Sequence, residues 1–453
     1  MLRQASIVAA RPQPLHPWLA PATLATALLL AALSALTLSR QPLPYGAEIG
    51  VGLGFLAVVS LAVLHLEAAA FLGLAILGVV VVDPAPADFV LLVVIAVTFA
   101  TGRFRARVPT GAVLALGGFL GLSLLSAVEV VDHGAAALYL GISMYLTLAA
   151  LWLSGFVDSR RRARVVAGGY LAAAATSAAL GVLGVLAPIP GKELFASERA
   201  HALFQDPNVF GPFLVPIALI LLEDLLNPRL FGVRAFWKVC LVGLLALGVI
   251  FSYSRGAWLN LALGVVVLLL ILALRRGGGR HVVRVAVLGA LTTGLVVVVL
   301  AATGSTGFLF ERAKLQEYDS GRFAGQVVGI ESAERYPLGI GPGQFESYAS
   351  ISAHSTYVRA LAEQGLPGLI LVCAFLVATI AAAVANTVAG RETYGIGSAA
   401  LLAALCGILV NSAVIDTFHW RHFWIVVALI WAGSARRQML RRPPRHAHAA
   451  AER

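Results

Sequence analysis

The chain has 453 residues, 59% of them hydrophobic and only 12% charged, with a formal net charge of +11 and a mean hydropathy of +0.89. Soluble domains carry about twice that share of charged residues, and the deficit runs the whole length, which excludes a large attached soluble domain. Cys240, Cys373 and Cys406 all lie in apolar stretches without metal-ligand spacing and read as small core residues.

Taken in chain order, the apolar runs predict an all-α integral membrane protein of about 12–14 transmembrane helices, since one span takes about 20 mostly apolar residues. The predicted spans are Trp18–Leu38, Glu48–His65, Glu67–Val82, Asp88–Thr101, Thr110–Val128, Ala135–Val157 and Val165–Ala187. They continue with Val209–Leu226, Val239–Tyr253, Gly256–Leu274, Val282–Thr303, Leu366–Ala389, Gly397–Ile415 and His422–Ala435. The first run is long and lacks a clear cleavage site, so it reads as an anchor rather than a signal peptide. The second and third are nearly continuous and are compatible with one tight hairpin.

Threading these spans with the amino terminus in the cytoplasm puts most of the 33 basic residues, and few of the 22 acidic ones, on the cytoplasmic side. Positive loops stay inside, so both termini are expected in the cytoplasm. The basic excess then reads as a topology signal and a contact for membrane lipid headgroups, and nucleic acid is not expected as a partner.

Two outer loops stand out. One covers 188–208. The other, 304–365, is the longest polar stretch of the chain. It predicts a helix through Phe323 to Tyr336, capped by Asp319 or Ser320 and ended by Pro337. The tight turn Gly339-Ile340-Gly341-Pro342-Gly343 follows, then a second helix from near Ser352 to a break at Gly365. An ordered long loop of this kind points to a lid or a site.

Basic residues on the outer face stand against the topology bias. Arg255 lies at the hinge between two spans, within Phe251-Ser-Tyr-Ser-Arg-Gly-Ala-Trp258. It reads either as an anion clamp or as an arginine snorkelling to headgroups. Arg199 precedes the Asp206-Pro207-Asn208 turn and could pair with Glu198; Arg322 could pair with Asp319. Together the three arginines could hold a diphosphate, because the guanidinium fork matches phosphate oxygens. His354, at the start of the helix after the long loop, is the candidate base. Nearby arginines and a helix amino terminus would keep its imidazole neutral and able to take a proton from a hydroxyl. Alone, such a histidine is more often structural, and His201, His419 and His422 are read that way. No Asp-x-Asp pair, His-Glu-x-x-His or Gly-x-Ser-x-Gly elbow occurs. No metal and no cofactor is therefore expected. The span interiors hold almost no charged residues, which argues against a proton-coupled transporter.

His354-Ser355, followed after nine residues by Gly365-Leu366-Pro367-Gly368, fits a His-(Asn/Ser)-x9-Gly-x-x-Gly pattern. With Ser320-Gly-Arg322, Tyr336-Pro-Leu-Gly-Ile-Gly-Pro-Gly-Gln-Phe345 and Ser254-Arg255-Gly256, the region from Arg199 to Cys373 resembles the O-antigen ligase and polymerase superfamily of bacterial envelope glycan enzymes. The resemblance implies a GT-C-like glycosyltransferase of the bacterial inner membrane with its active site facing the periplasm. The implied donor is a glycan on undecaprenyl diphosphate. The implied acceptor is lipid A-core in the ligases and another lipid-linked glycan in the polymerases. The transfer would be inverting and metal-independent. His354 would activate the acceptor hydroxyl, and Arg199, Arg255 and Arg322 would hold the diphosphate. Asn208, Ser355, Tyr357 and Arg359, which lie in or beside these segments, are further substrate-binding candidates.

One dominant outer loop favours the ligase reading. An Arg-x10-Gly pattern expected of polymerases is missed by one residue between Arg199 and Gly211. A polymerase and a lipid-linked sugar transporter or flippase remain the alternatives. The expected organisation is an amino-terminal helical region (1–187), helices with the diphosphate-binding arginines (188–303), the outer loop with the base (304–365), carboxy-terminal helices (366–435) and a basic cytoplasmic tail (436–453).

Overall fold

The computed structural model describes residues 45–441 apart from 83, 188–190, 350 and most of 276–316. The predicted span Trp18–Leu38, most of Val282–Thr303 and the tail from 442 onward lie outside the described residues.

The described chain is a helical bundle. Its helices are α1 (Tyr45–Leu64), α2 (Leu66–Ala75), α3 (Pro86–Ala100), α4 (Thr110–Ser126), α5 (His133–Phe156), α6 (Arg160–Leu186) and α7 (Pro207–Leu226). They continue with α8 (Ala235–Phe251), α9 (Arg255–Leu274), α10 (Glu317–Arg335), α11 (Phe345–Ala349), α12 (Thr356–Val388), α13 (Ser398–Asn411) and α14 (Arg421–Arg441). Among the described residues, six helices are long and apolar enough to cross a membrane and six shorter ones are apolar. A backbone in hydrocarbon must satisfy its own hydrogen bonds, and helices do so internally. The chain is an all-α integral membrane protein.

Two predicted spans differ from the observed helices. The second and third are separated by His65 alone, whose dihedrals leave the helical region (φ −140, ψ 64). The third stops at Ala75 instead of Val82, because the backbone beyond it is satisfied sideways: the Val80 amide donates to the Leu203 carbonyl at 2.9 Å. At the other end of the chain, α14 runs to Arg441, into the stretch expected to be tail.

The centre of the bundle is α7, buried on nearly every side from Phe210 to Leu222 and packed against α6, α8, α9 and α13. Pro207 starts α7 at a position where a missing N–H costs nothing. α9 pairs with α13, and α4 with α12. At the far end of α7 the Asp224 carboxylate accepts the amides of Arg229 (2.9 Å) and Leu230 (2.7 Å). It also pairs with the buried Lys238 ammonium at 2.7 Å. This fixes the loop into α8, and so the direction in which α8 returns to the end of the bundle that carries His354.

Candidate active site

α8 ends at Phe251 and α9 begins at Arg255. The chain reverses in three residues because Tyr253 adopts a left-handed backbone (φ 48), and Ser254 caps α9 by accepting the Ala257 amide at 3.4 Å. The hinge leaves the Ser252 carbonyl open to Arg199, whose Nε donates to it at 2.8 Å. The same guanidinium donates from Nη2 to Asn208 Oδ1 at 2.8 Å. Asn208 is itself set by Asp206, whose carboxylate accepts its amide at 2.7 Å as the cap of α7. Arg199 therefore bridges the start of α7 and the α8–α9 hinge.

Arg255 points to the long loop. Its Nη1 donates to the Lys314 carbonyl at 2.9 Å and its Nη2 to Asp319 Oδ1 at 2.5 Å. The loop helix is longer than predicted, beginning at Glu317. Asp319 and Ser320 thus lie inside its first turn rather than at its cap. The Asp319 carboxylate is drawn to the opposite charge of Arg255, and the two form an ion pair that spacing along the chain does not predict.

His354 sits one residue before the cap of α12, in a left-handed backbone (φ 44). Ser355 is that cap, buried and accepting the Val358 amide at 3.3 Å. The Gln326 side-chain amide, on α10, donates to the His354 carbonyl at 3.2 Å and to the Ala413 carbonyl at 3.0 Å. The Thr356 amide donates to the Ser412 carbonyl at 2.9 Å, and the Thr356 hydroxyl to Asp416 Oδ1 at 3.1 Å. The start of α9 meets the same segment: a side chain at Gly256 would run into Asn411. The turns carrying His354 and Arg255 therefore rest on one support, residues 411–416.

The glycines of the motif have a packing role. Gly365 takes φ 67, which splits α12 into Thr356–Gln364 and the apolar stretch beyond, as the sequence predicts. A Cβ on Gly365 would overlap the Pro337 carbonyl, and one on Gly339 the Glu363 carbonyl. The interlock is held by Ile340 N–H to Ala362 O and Gly341 N–H to Glu363 O, both 2.9 Å. The buried Glu363 carboxylate accepts the Gly343 amide at 3.0 Å.

Arg359, at the centre of this region, is ringed by carboxylates. Its Nη1 donates to Glu363 Oε1 and Glu346 Oε2, both at 3.0 Å, and its Nε lies 2.9 Å from Asp416 Oδ2. The Tyr357 hydroxyl donates to the Leu409 carbonyl at 2.9 Å. These contacts hold α12 to the loop and to α13.

The imidazole of His354 is half-buried, and its pKa is lowered from the ordinary 6.5. Burial is the main cause, followed by the positive charges of Arg322 and Arg359; the carboxylates of Asp206 and Glu346 act in the opposite sense. These residues come from the start of α7, α10, α11 and α12, so four separate segments act on His354. A neutral imidazole there can accept a proton, and the guanidinium groups of Arg322 and Arg359 act on it electrostatically.

Sequence reasoning did not single out Gln326, whose role depends on which carbonyls it meets. It also passed over Arg421, although in the expected threading this arginine breaks the same topology bias as Arg255. Arg421 makes a two-point pair with Asp88, Nε to Oδ1 at 2.7 Å and Nη2 to Oδ2 at 2.5 Å. Arg421, His419 and Asp206 border a cavity of about 550 Å³ whose remaining walls are largely apolar, including Leu92, Leu138 and Val209. Asp206 thus belongs both to this cavity and to the electrostatic surroundings of His354.

Residues 240–373 match the family model described as O-Antigen ligase. The matched segment runs from α8 into α12 and contains Arg255, Arg322, His354 and the Gly365–Gly368 motif, with Arg199 outside it. No curated protein matches the chain.

Proposed function

We propose that this chain, which carries an O-antigen ligase family domain over residues 240–373, transfers a glycan from undecaprenyl diphosphate to a hydroxyl of lipid A-core. The family implies glycosyltransferase activity on a lipid-linked glycan and a glycan acceptor. The observation that carries the finer reading is the depressed, half-buried His354 within electrostatic reach of Arg322, on the same support as the hinge of Arg255.

In the proposed reaction His354 takes the proton of the acceptor hydroxyl as its oxygen forms a bond to the anomeric carbon. The bond from that carbon to the diphosphate oxygen breaks, and its electron pair stays with the diphosphate. Attack opposite the leaving group inverts the anomeric centre. Arg199 and Arg255, with Arg322 beside His354, meet the charge that grows on the diphosphate, where fixed donors act in the transition state. The chemistry asks for no metal, since the guanidinium groups supply the positive charge. The cavity bordered by Asp206 suits the apolar donor tail, being walled by membrane helices and adjoining the site. Asn208 and Arg359 act by holding Arg199 and α12 in place.

The proposed orientation faces His354 to the periplasm of a bacterial inner membrane, with both termini cytoplasmic. It is supported by the arginines at the opposite end of the bundle, among them Arg107, Arg160, Arg161, Arg229 and Arg391, which fit the cytoplasmic side.

The test is transfer in vitro from undecaprenyl-diphosphate glycan by the purified chain, with lipid A-core or with no added acceptor. Transfer that requires lipid A-core and is lost in His354→Ala and Arg255→Ala is the expected result. Elongation of the lipid-linked glycan without core would make the chain a polymerase. Unchanged transfer by His354→Ala would remove His354 as the base.

A further inference from the structure

At the end of the bundle remote from His354, residues leading into α4 enclose a second cavity of about 550 Å³ together with α12 and α14. Its α12 wall is Ala378, Ala381, Ala382 and Ala385, spaced so that all four lie on one helical face. Ala381 is exposed, so the cavity opens sideways on the bundle surface. Arg107, before α4, and Arg391, after α12, both line it, and among the described residues no aspartate or glutamate does.

The two guanidinium groups differ from their neighbours at this end. Arg229 pairs with Glu392, and Arg161 and Arg162 pair with Glu67. Arg107 instead donates to the neutral Tyr394 hydroxyl at 3.0 Å, while its backbone amide is anchored on Ser154 Oγ at 3.0 Å. Among the described residues, neither Arg107 nor Arg391 has a carboxylate within ion-pair distance. The polar groups deeper in the wall are already satisfied inside the bundle. Asn386 Nδ2 donates to the Ile430 carbonyl at 3.0 Å and to Ser434 Oγ at 3.1 Å, and the Trp431 indole donates to Thr379 Oγ1 at 3.3 Å. The cavity therefore offers an apolar wall that opens on the bundle surface and two arginines without a carboxylate partner among the described residues.

We propose that this cavity binds one anionic phospholipid, its phosphate between Arg107 and Arg391 and an acyl chain along the alanine face of α12. Guanidinium groups take phosphate oxygens in a planar fork, basic pockets between membrane helices hold anionic headgroups, and the volume lies in the range of small-ligand sites. The bound lipid would join α4, α12 and α14 at the end of the same helix whose other end carries His354. The inference does not depend on the proposed glycan transfer or on its orientation, and it is tested without either.

The purified full chain is exchanged into detergent containing equal amounts of phosphatidylglycerol and phosphatidylcholine, and the retained lipid is read by native mass spectrometry. Retention of one phosphatidylglycerol, preferred at least about tenfold, is expected from two guanidinium contacts. R107Q/R391Q loses the preference, whereas R103Q/R105Q, which removes the same charge from exposed neighbours, keeps it. Equal retention of the two lipids by the wild type overturns the proposal, and this readout needs no variant to fold. A preference unchanged in R107Q/R391Q, or lost equally in R103Q/R105Q, overturns it as well, the latter by reducing it to diffuse surface charge. Retention of no lipid, the result if the chain's own residues 18–38 fill the cavity, also overturns it.

Discussion

The Arg255 guanidinium and the Asp319 carboxylate, 64 positions apart, meet at 2.5 Å and so fasten the α8–α9 hinge to the helix of the long loop. Both side chains are largely withdrawn from solvent, where an opposite charge is worth more than at an exposed surface. In the proposed reaction the donor diphosphate competes with Asp319 for this arginine. Arg255→Ala is expected to lower kcat/KM for transfer by about a hundredfold, about 3 kcal/mol. Arg255→Lys keeps the charge, loses the fork, and should fall between that variant and the wild type. Asp319→Asn leaves the arginine in place with a neutral acceptor and should stay within about tenfold of wild type. Steady-state transfer assays on the three variants check the order, and an Asp319→Asn loss as large as that of Arg255→Ala would contradict it.

In the proposed reaction the protonation of His354 sets the acid limb of the pH profile. A base must be neutral to act, and its pKa lies below 6.5 because it is half-buried and faces Arg322 and Arg359. Activity should therefore persist as pH falls past 6.5 and be lost only at the lower pH where the imidazole becomes protonated. Arg322→Gln removes one positive charge, stabilises the imidazolium and moves the acid limb upward, while burial still holds it below the ordinary value. A pH series of kcat/KM for the two proteins measures this. An acid limb that does not move in Arg322→Gln would separate Arg322 from the site.

Gly365 cannot carry a side chain without moving the loop. Its φ of 67 disfavours any L-residue, and a Cβ would overlap the Pro337 carbonyl. The backbone conformation alone is expected to cost Gly365→Ala about 1–3 kcal/mol, with the overlap added. Thermal unfolding in detergent should show a lower Tm for Gly365→Ala, and limited proteolysis should show cleavage within 336–344, the segment it would displace.

Lys238 and Asp224 form a buried pair at the other end of the bundle, 2% and 4% exposed. Lys238→Met would leave the Asp224 carboxylate buried with amide donors alone, and losing one partner of such a pair costs about 3–5 kcal/mol. Lys238→Met combined with Asp224→Asn removes the stranded charge and should recover part of the loss. Denaturant unfolding of the single and double variants measures the difference. A single variant as stable as wild type would show that the pair does not hold the α7–α8 loop.

By itself the sequence determined the helical, membrane-embedded class, because the cost of exposing a backbone in hydrocarbon forces long apolar helical runs that composition reveals. It also located the break at Gly365, a local consequence of a glycine where only a left-handed residue fits, and it singled out Arg199, Arg255 and Arg322 by the charge bias and His354 as a candidate base. The tertiary structure alone decided where these charges go. Asp319, expected to cap a helix, lies inside one that begins earlier and pairs with Arg255 at the hinge. Gln326 joins His354 to Ala413, and Asp206 reaches the surroundings of His354, through contacts between segments far apart in the chain. Periodicity and capping are properties of neighbouring residues and can be read along a sequence. Which carboxylate neutralises which arginine depends on distances set by the packing of α7, α9, α12 and α13, and no spacing along the chain encodes them.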